Sequence, residues 1–224
     1  CHEVLNAPMK FAVVTKGGEK VVDAGNFKIE SATKGHIAWM SESVNDGITF
    51  VVKGRMEFDG FIRYTVDVSS QEKCEVLDVK LVTSYTTYAS TYMMGLGYDG
   101  GVRPSKHSWR WNGPYDSYWV GGAKAGLHVE FRGGAYHGPL IADRSYNYRP
   151  PQAWENGGRG HVEFTGTNAM TVVAHTETTT LSAVRRQWAF DLNLTPVKPI
   201  DLKKQFSQRY YHGDPAKFEV AALQ

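Results

Sequence analysis

The chain has 224 residues, 42% of them hydrophobic, with a formal net charge of +2. That length suits one large domain or two small ones and buries a core without staples. The near-neutral balance gives no electrostatic pull toward nucleic acid, and no run of about 18 apolar residues is present to span a membrane.

The first residue is Cys1 rather than Met, and the expectation is a processed product or a piece of a longer protein. The cysteines, Cys1 and Cys74, form no CxxC pair and join no Cys/His cluster. Neither a disulfide framework nor a zinc knuckle is expected from them.

Strand signals begin at once. Phe11–Thr15 and Lys20–Asp23 flank a Gly-Gly turn and read as a hairpin. Asn45-Asp46-Gly47 and Asp59-Gly60 are turns, because glycine tolerates positive φ and Asn/Asp side chains bond their own backbone. Between them Ile48–Val52 and Arg55–Phe58 read as short strands. Ile62, Tyr64, Val66 and Val68 then alternate with Arg63, Thr65 and Asp67, the period of a half-buried strand.

The same alternation runs through "CEVLDVKLVTSY", "AGLHVEFRG", "GHVEFTGT", "MTVVAHTETTTL" and "RQWAFDLNLTPV". About a dozen strands without helical crossovers predict an all-β chain: an antiparallel two-sheet β-sandwich over residues 1–200. Residues 201–224 read as a short, partly helical tail or linker, with Pro199 and Pro215 at first-turn positions. Between the strands, Tyr88–Pro114 and Tyr136–Gly160 are rich in Gly, Tyr, Pro and Arg and read as long irregular loops.

No acidic residues are adjacent. Glu57, Asp67, Asp78, Glu163 and Asp191 lie in strands or turns and read as outward solubilising charges, whereas glycosidic chemistry needs carboxyl groups placed across a bond. Asp99, Asp116, Asp143 and Glu155 lie in the irregular middle, with turn roles expected for Asp99 and Asp116. The histidines are scattered. His128 and Glu130 share a strand face, as do His161 and Glu163, but such pairs are ordinary strand-surface polarity, and neither a metal nor a cofactor is expected.

The stretch "HSWRWNGPYDSYWVGG" at 107–122 concentrates aromatic rings. Trp109 and Trp111, one residue apart, point the same way on an extended backbone; Tyr118 and Trp119 point oppositely. Flat rings with a few polar anchors suit the apolar faces of sugars. This makes Trp109, Trp111 and Tyr115 candidates for stacking on carbohydrate, with Arg110 and Asp116 as polar partners. Plugging of the core is the alternative for the tryptophans; Trp119, followed by Val120, is expected in the core, as is Trp188.

Several stretches resemble bacterial proteins similar to glycoside hydrolase family 123. "YWVGGAKAGLHVEF" resembles their W-G-(acidic)-x-x-x-G-L stretch, "DGITFVVKGRMEFDGFIRYTVDV" their G-x-(M/L)-E-(F/Y)-D-G hairpin, and "WAFDLNLTPVKPI" the end of their sandwich domain, with Thr195-Pro196-Val197-Lys198-Pro199 the most specific motif. The resemblance covers about residues 25–213. It implies a sandwich preceding a (β/α)₈ barrel that carries an adjacent Asp-Glu pair for substrate-assisted hydrolysis of N-acetylhexosaminides. This chain has no such pair, and Gly122-Ala123-Lys124 stands where relatives often have an acidic residue.

The resemblance therefore implies a non-catalytic sandwich domain, secreted or periplasmic, with surface attachment through Cys1 as a variant. Its partners would be a glycan and the catalytic domain of the same longer chain. The rivals are a purely structural module and a self-sufficient polysaccharide-active enzyme using residues such as Tyr136, His137, Arg144, Tyr146, Tyr148 and Arg149.

Overall fold

A computed structural model describes residues 3–111, 115–133, 151–196, 201, 203 and 207. Among them are seventeen strands, numbered β1 to β17 in chain order, and every pairing between them is antiparallel. Six form a small sheet in the order β11 (Lys106–Arg110), β14 (His161–Thr165), β15 (Thr171–His175), β8 (Asp78–Ser84), β1 (Lys10–Thr15), β2 (Gly18–Val21).

Nine form a large sheet. Its order is β10 (Tyr98–Val102), β9 (Tyr92–Gly95), β12 (Ser117–Gly121), β13 (Gly126–Arg132), β17 (Arg186–Thr195), β6 (Phe61–Ser70), β5 (Ile48–Glu57), β4 (His36–Asn45), β3 (Lys28–Ala32). A short ribbon pairs β16 (Thr179–Leu181) with β7 (Cys74–Val76).

The sheets meet face to face through strands whose side chains alternate in and out. In β8, Val79, Leu81 and Thr83 are buried while Asp78, Lys80, Val82 and Ser84 are less so; in β13, Leu127, Val129 and Phe131 face in and His128, Glu130 and Arg132 face out. Rings interlock across the gap. Phe11 of β1 meets Trp188 of β17 edge-on at 6.0 Å, and Phe164 of β14 meets Tyr118 of β12 at 5.1 Å. The short helix α1 (Gln152–Glu155) drops Trp154 into the same core, edge-on to Phe131 at 5.1 Å. Its indole N–H donates to the Ala189 carbonyl at 2.9 Å, so its one polar atom is satisfied in the apolar interior.

Several expectations about the strands and their charges change. Ile48–Val52 and Arg55–Phe58 are not separate strands: β5 runs unbroken from Ile48 to Glu57. Part of the supposed loop 88–114 is sheet, as β9, β10 and β11. "CEVLDVKLVTSY" splits at Leu77 into β7 and β8. Asp191 is on the outward face, yet its side chain is only 2% exposed, because two arginines cover it. Most of the 201–224 tail, Cys1, Asn112, Asp143 and the 136–149 group lie outside the described residues, as do Val197, Lys198 and Pro199.

Candidate functional site

Strand phase decides where each aromatic ring of the 107–122 stretch goes. Trp109, flanked by the exposed Ser108 and Arg110, faces inward and is buried. Its ring closes on Gly97, where any Cβ would stand 2.7 Å from a ring carbon, and meets Tyr115 edge-on at 5.6 Å. Trp111 follows the same phase and packs edge-on against Phe131 at 5.5 Å. Arg110 points the other way, outward from the small sheet, and its Nη1 donates to the Arg159 carbonyl at 3.4 Å. Tyr115 is half exposed and Asp116 is buried. The three rings expected to stack on carbohydrate and their expected polar partners therefore do not share a surface: the tryptophans line the interior, Asp116 is buried, Arg110 lies on the outer side of the small sheet, and Tyr115 turns toward a cleft.

That cleft lies at the β9–β12 end of the large sheet. It encloses about 360 Å³, and Met94, Tyr98, Asp99, Tyr115, Trp119 and His128 are among its walls. Trp119 was expected in the core. Tyr118 and Val120, its neighbours on β12, take the inward positions, so Trp119 faces outward. Space is made for it by glycines: a Cβ on Gly121 would sit 2.2 Å from a Trp119 ring carbon and one on Gly126 2.4 Å. The indole N–H is held by Thr195 Oγ1 at 2.7 Å.

Across the same outward face runs a row of ionisable groups brought together by register. Trp119 pairs with His128, and His128 with Asn193. One pair further, Ser117 opposes Glu130, Glu130 opposes Asp191, and Asp191 opposes Arg63. Arg63 grips Asp191 in a fork, Nε to Oδ1 and Nη2 to Oδ2, both at 2.8 Å. Arg132 adds Nε to Asp191 Oδ2 at 3.1 Å and reaches Glu130 Oε1 from Nη2 at 2.9 Å. Such forked, charge-assisted bonds fix both partners in one orientation.

Burial raises the pKa of the Glu130 carboxyl; Arg132 opposes the rise, while Asp116 and Asp191 add to it. Burial lowers the pKa of the His128 imidazole, against the pull of Asp116 and Asp191. The carboxylate of Asp116 thus acts on both groups, which ties this candidate from the aromatic stretch to the charged row. Long-range pairing is what sequence reading lacked here: Arg63 and Asp191 are 128 positions apart. For Trp119 a signal was present, in the apolar phase of Tyr118 and Val120 and the small Gly121 and Gly126.

A family model described as "Glycoside hydrolase 123, third domain" matches residues 1–196. The chain belongs to this family. The match takes in the 118–131 stretch and all but the last four residues of the 188–200 stretch that carry the resemblance, and it makes the sandwich one domain type of glycoside hydrolase proteins. No curated protein matches this glycoside hydrolase 123 third-domain chain. Among solved structures it is similar to one described as a "Putative aldose 1-epimerase" from Escherichia coli K12, with 7% identity, TM-score 0.40, and coverage of 82% of this chain and 78% of that one. It is also similar to galactose 1-epimerase from Lactobacillus acidophilus NCFM, with 11% identity, TM-score 0.44, and coverage of 75% and 65%. Among the described residues no helix is long and apolar enough to cross a membrane.

Proposed function

We propose that this third-domain sandwich is a non-catalytic accessory domain of a glycan-processing enzyme, and that it holds a sugar in the cleft beside Trp119. The observation that carries this is the cleft itself. Aromatic walls from Trp119, Tyr115 and Tyr98 stand beside the polar Asp99 and His128, the combination that suits the apolar face and the hydroxyl rim of a sugar ring. Its volume of about 360 Å³ fits a small ligand. The neighbouring carboxylates do not stand free across a gap: Asp191 and Glu130 are tied to Arg63 and Arg132. That favours binding over a pair of carboxyl groups poised on either side of a bond. Residues 1–200 are the sandwich unit in this account, and another domain of the same protein, in contact with it, carries the bond-breaking groups of a secreted or periplasmic enzyme.

Of the original candidates, Tyr115 contacts the sugar and Asp116 tunes the row behind it. Trp109 supports Tyr115 from beneath. Titration with an N-acetylhexosamine oligosaccharide, followed by calorimetry and tryptophan fluorescence, tests this. Binding that Trp119→Ala and Tyr115→Ala weaken supports it; absent binding, or binding indifferent to both, overturns it.

A second reading is favoured by the opposed shifts of Glu130 and His128. A carboxyl whose pKa burial raises, on the same strand face as an imidazole whose pKa burial lowers, has the makings of an acid–base pair, and would make the face itself catalytic. Turnover of the oligosaccharide by the purified chain, abolished in Glu130→Gln, is the outcome that would select it.

A further inference from the structure

The outward face of the small sheet carries a second cluster, remote in register from the cleft. His161 of β14 pairs directly with His175 of β15, and their rings stack at 4.7 Å with 12° between planes. Glu163, two residues along β14 on the same face, brings its Oε1 to 3.5 Å from His161 Nε2. One ligand atom from each of His161, Glu163 and His175 lies within 4.8 Å of the others.

Each imidazole has a carboxylate at its other nitrogen. Asp78 Oδ2 stands 2.6 Å from His175 Nδ1. Asp78 is itself fixed, its Oδ1 accepting from the backbone N–H groups of Thr176 at 3.1 Å and Glu177 at 2.8 Å. Glu177 Oε1 stands 3.3 Å from His161 Nδ1, out of line for a hydrogen bond, and this buried nitrogen has no hydrogen-bond partner among the described residues. Glu177 sits in the left-handed region at φ 67°, a conformation a side chain other than glycine adopts at a cost and which often marks a functional constraint.

We propose that His161 Nε2, His175 Nε2 and a Glu163 carboxylate oxygen bind a divalent transition-metal cation of the zinc type. The pattern is that of a metal site with its supporting shell, in which a carboxylate at Nδ1 fixes the tautomer and leaves the Nε2 lone pair for the metal. Asp78 fills that role for His175, and Glu177 is placed to fill it for His161. Imidazole with carboxylate suits zinc, nickel or copper better than calcium or magnesium, which take oxygen ligands.

Three protein ligands leave a coordination position for water or for a group from a partner. Metal–nitrogen bonds of about 2.0–2.1 Å require the ligand atoms to draw in by roughly an ångström; Glu163, with half its side chain exposed, has the freedom to do so. The flanking cations are engaged elsewhere, Lys80 with Glu19 at 2.5 Å and Arg110 with the Arg159 carbonyl.

The test is zinc titration of the tag-free chain by calorimetry, with cobalt(II) absorption as a geometric probe. One equivalent of zinc should bind, magnesium should not, and cobalt should give the intense visible bands of a four-coordinate site. Glu163→Gln and His175→Gln should each abolish stoichiometric uptake, and Asp78→Asn should weaken it by about 10–100-fold. Glu163 is exposed, so its variant folds whatever the site does, and circular dichroism confirms this. No zinc uptake, or uptake that Glu163→Gln and His175→Gln leave unchanged, overturns the proposal.

Discussion

The indole N–H of Trp119 donates to Thr195 Oγ1, linking β12 to the last residue of β17 across the intervening strand β13. The Thr195 hydroxyl in turn donates a hydrogen bond to the Gly126 carbonyl at 3.3 Å, and the Trp119 ring covers Gly121 and Gly126. Gly126→Ala would put a methyl group 2.4 Å from the ring. The expected outcome is a displaced Trp119 and an oligosaccharide affinity reduced by roughly tenfold, about 1.4 kcal/mol. Calorimetry checks the affinity, and an altered Trp119 indole N–H resonance checks the cause.

The aromatic residues should divide by role. Trp109→Ala removes a buried ring from the core and should cost about 3–5 kcal/mol of stability. Tyr115→Ala removes a half-exposed ring and should change stability by no more than about 0.5 kcal/mol, while weakening oligosaccharide binding. Urea unfolding of both variants, set beside their binding isotherms, makes the comparison.

The Arg63–Asp191 fork is half surface and half interior. The Asp191 side chain is 2% exposed and that of Arg63 54%. Breaking a fully buried pair costs about 3–5 kcal/mol, and exposure of the guanidinium reduces this. Because Arg132 continues to hold Asp191, Arg63→Met should cost about 1–2 kcal/mol. A double-mutant cycle with Asp191→Asn should return a favourable coupling of similar size, measured by denaturant unfolding.

Glu130 and His128 should impose opposite pH dependences. Burial raises the Glu130 pKa, so its contribution to stability is full below the ordinary carboxyl value and is lost as pH rises through the raised one. Burial lowers the His128 pKa, so its contribution is present above the ordinary imidazole value and is lost as pH falls through the lowered one. Relative to wild type, Glu130→Gln should gain stability as pH rises from about 4 to 7. His128→Asn should gain as pH falls below about 6.5. Thermal melts across this range check both signs.

What the sequence disclosed follows from how far each signal reaches. Strands such as β8 and β13 alternate residue by residue, so their faces are legible. In β9 and β10 the phase is hidden by Gly95, Gly97, Gly100 and Gly101, all at positive φ, and by a register shift between Tyr98 and Gly101. These strands therefore look like loop. His128 and Glu130 share a face by local alternation, but Asp191 joins them only through the β13–β17 pairing, and Arg63 only through Asp191, 128 positions away. The same holds for His161 and Glu163, whose neighbour His175 is supplied by β15. Local pattern assigns a side chain to a face; register assigns it to a neighbour, and chemistry depends on neighbours.

The central claim is that this sandwich holds a sugar beside Trp119 and leaves its bonds intact. The most direct measurement is a nuclear magnetic resonance titration of the purified chain with an N-acetylhexosamine oligosaccharide, recording protein and sugar signals together. The account predicts saturable shifts at the Trp119 indole and at His128, with the sugar unchanged throughout. Cleavage of the sugar, or shifts absent from Trp119 and His128, would contradict it.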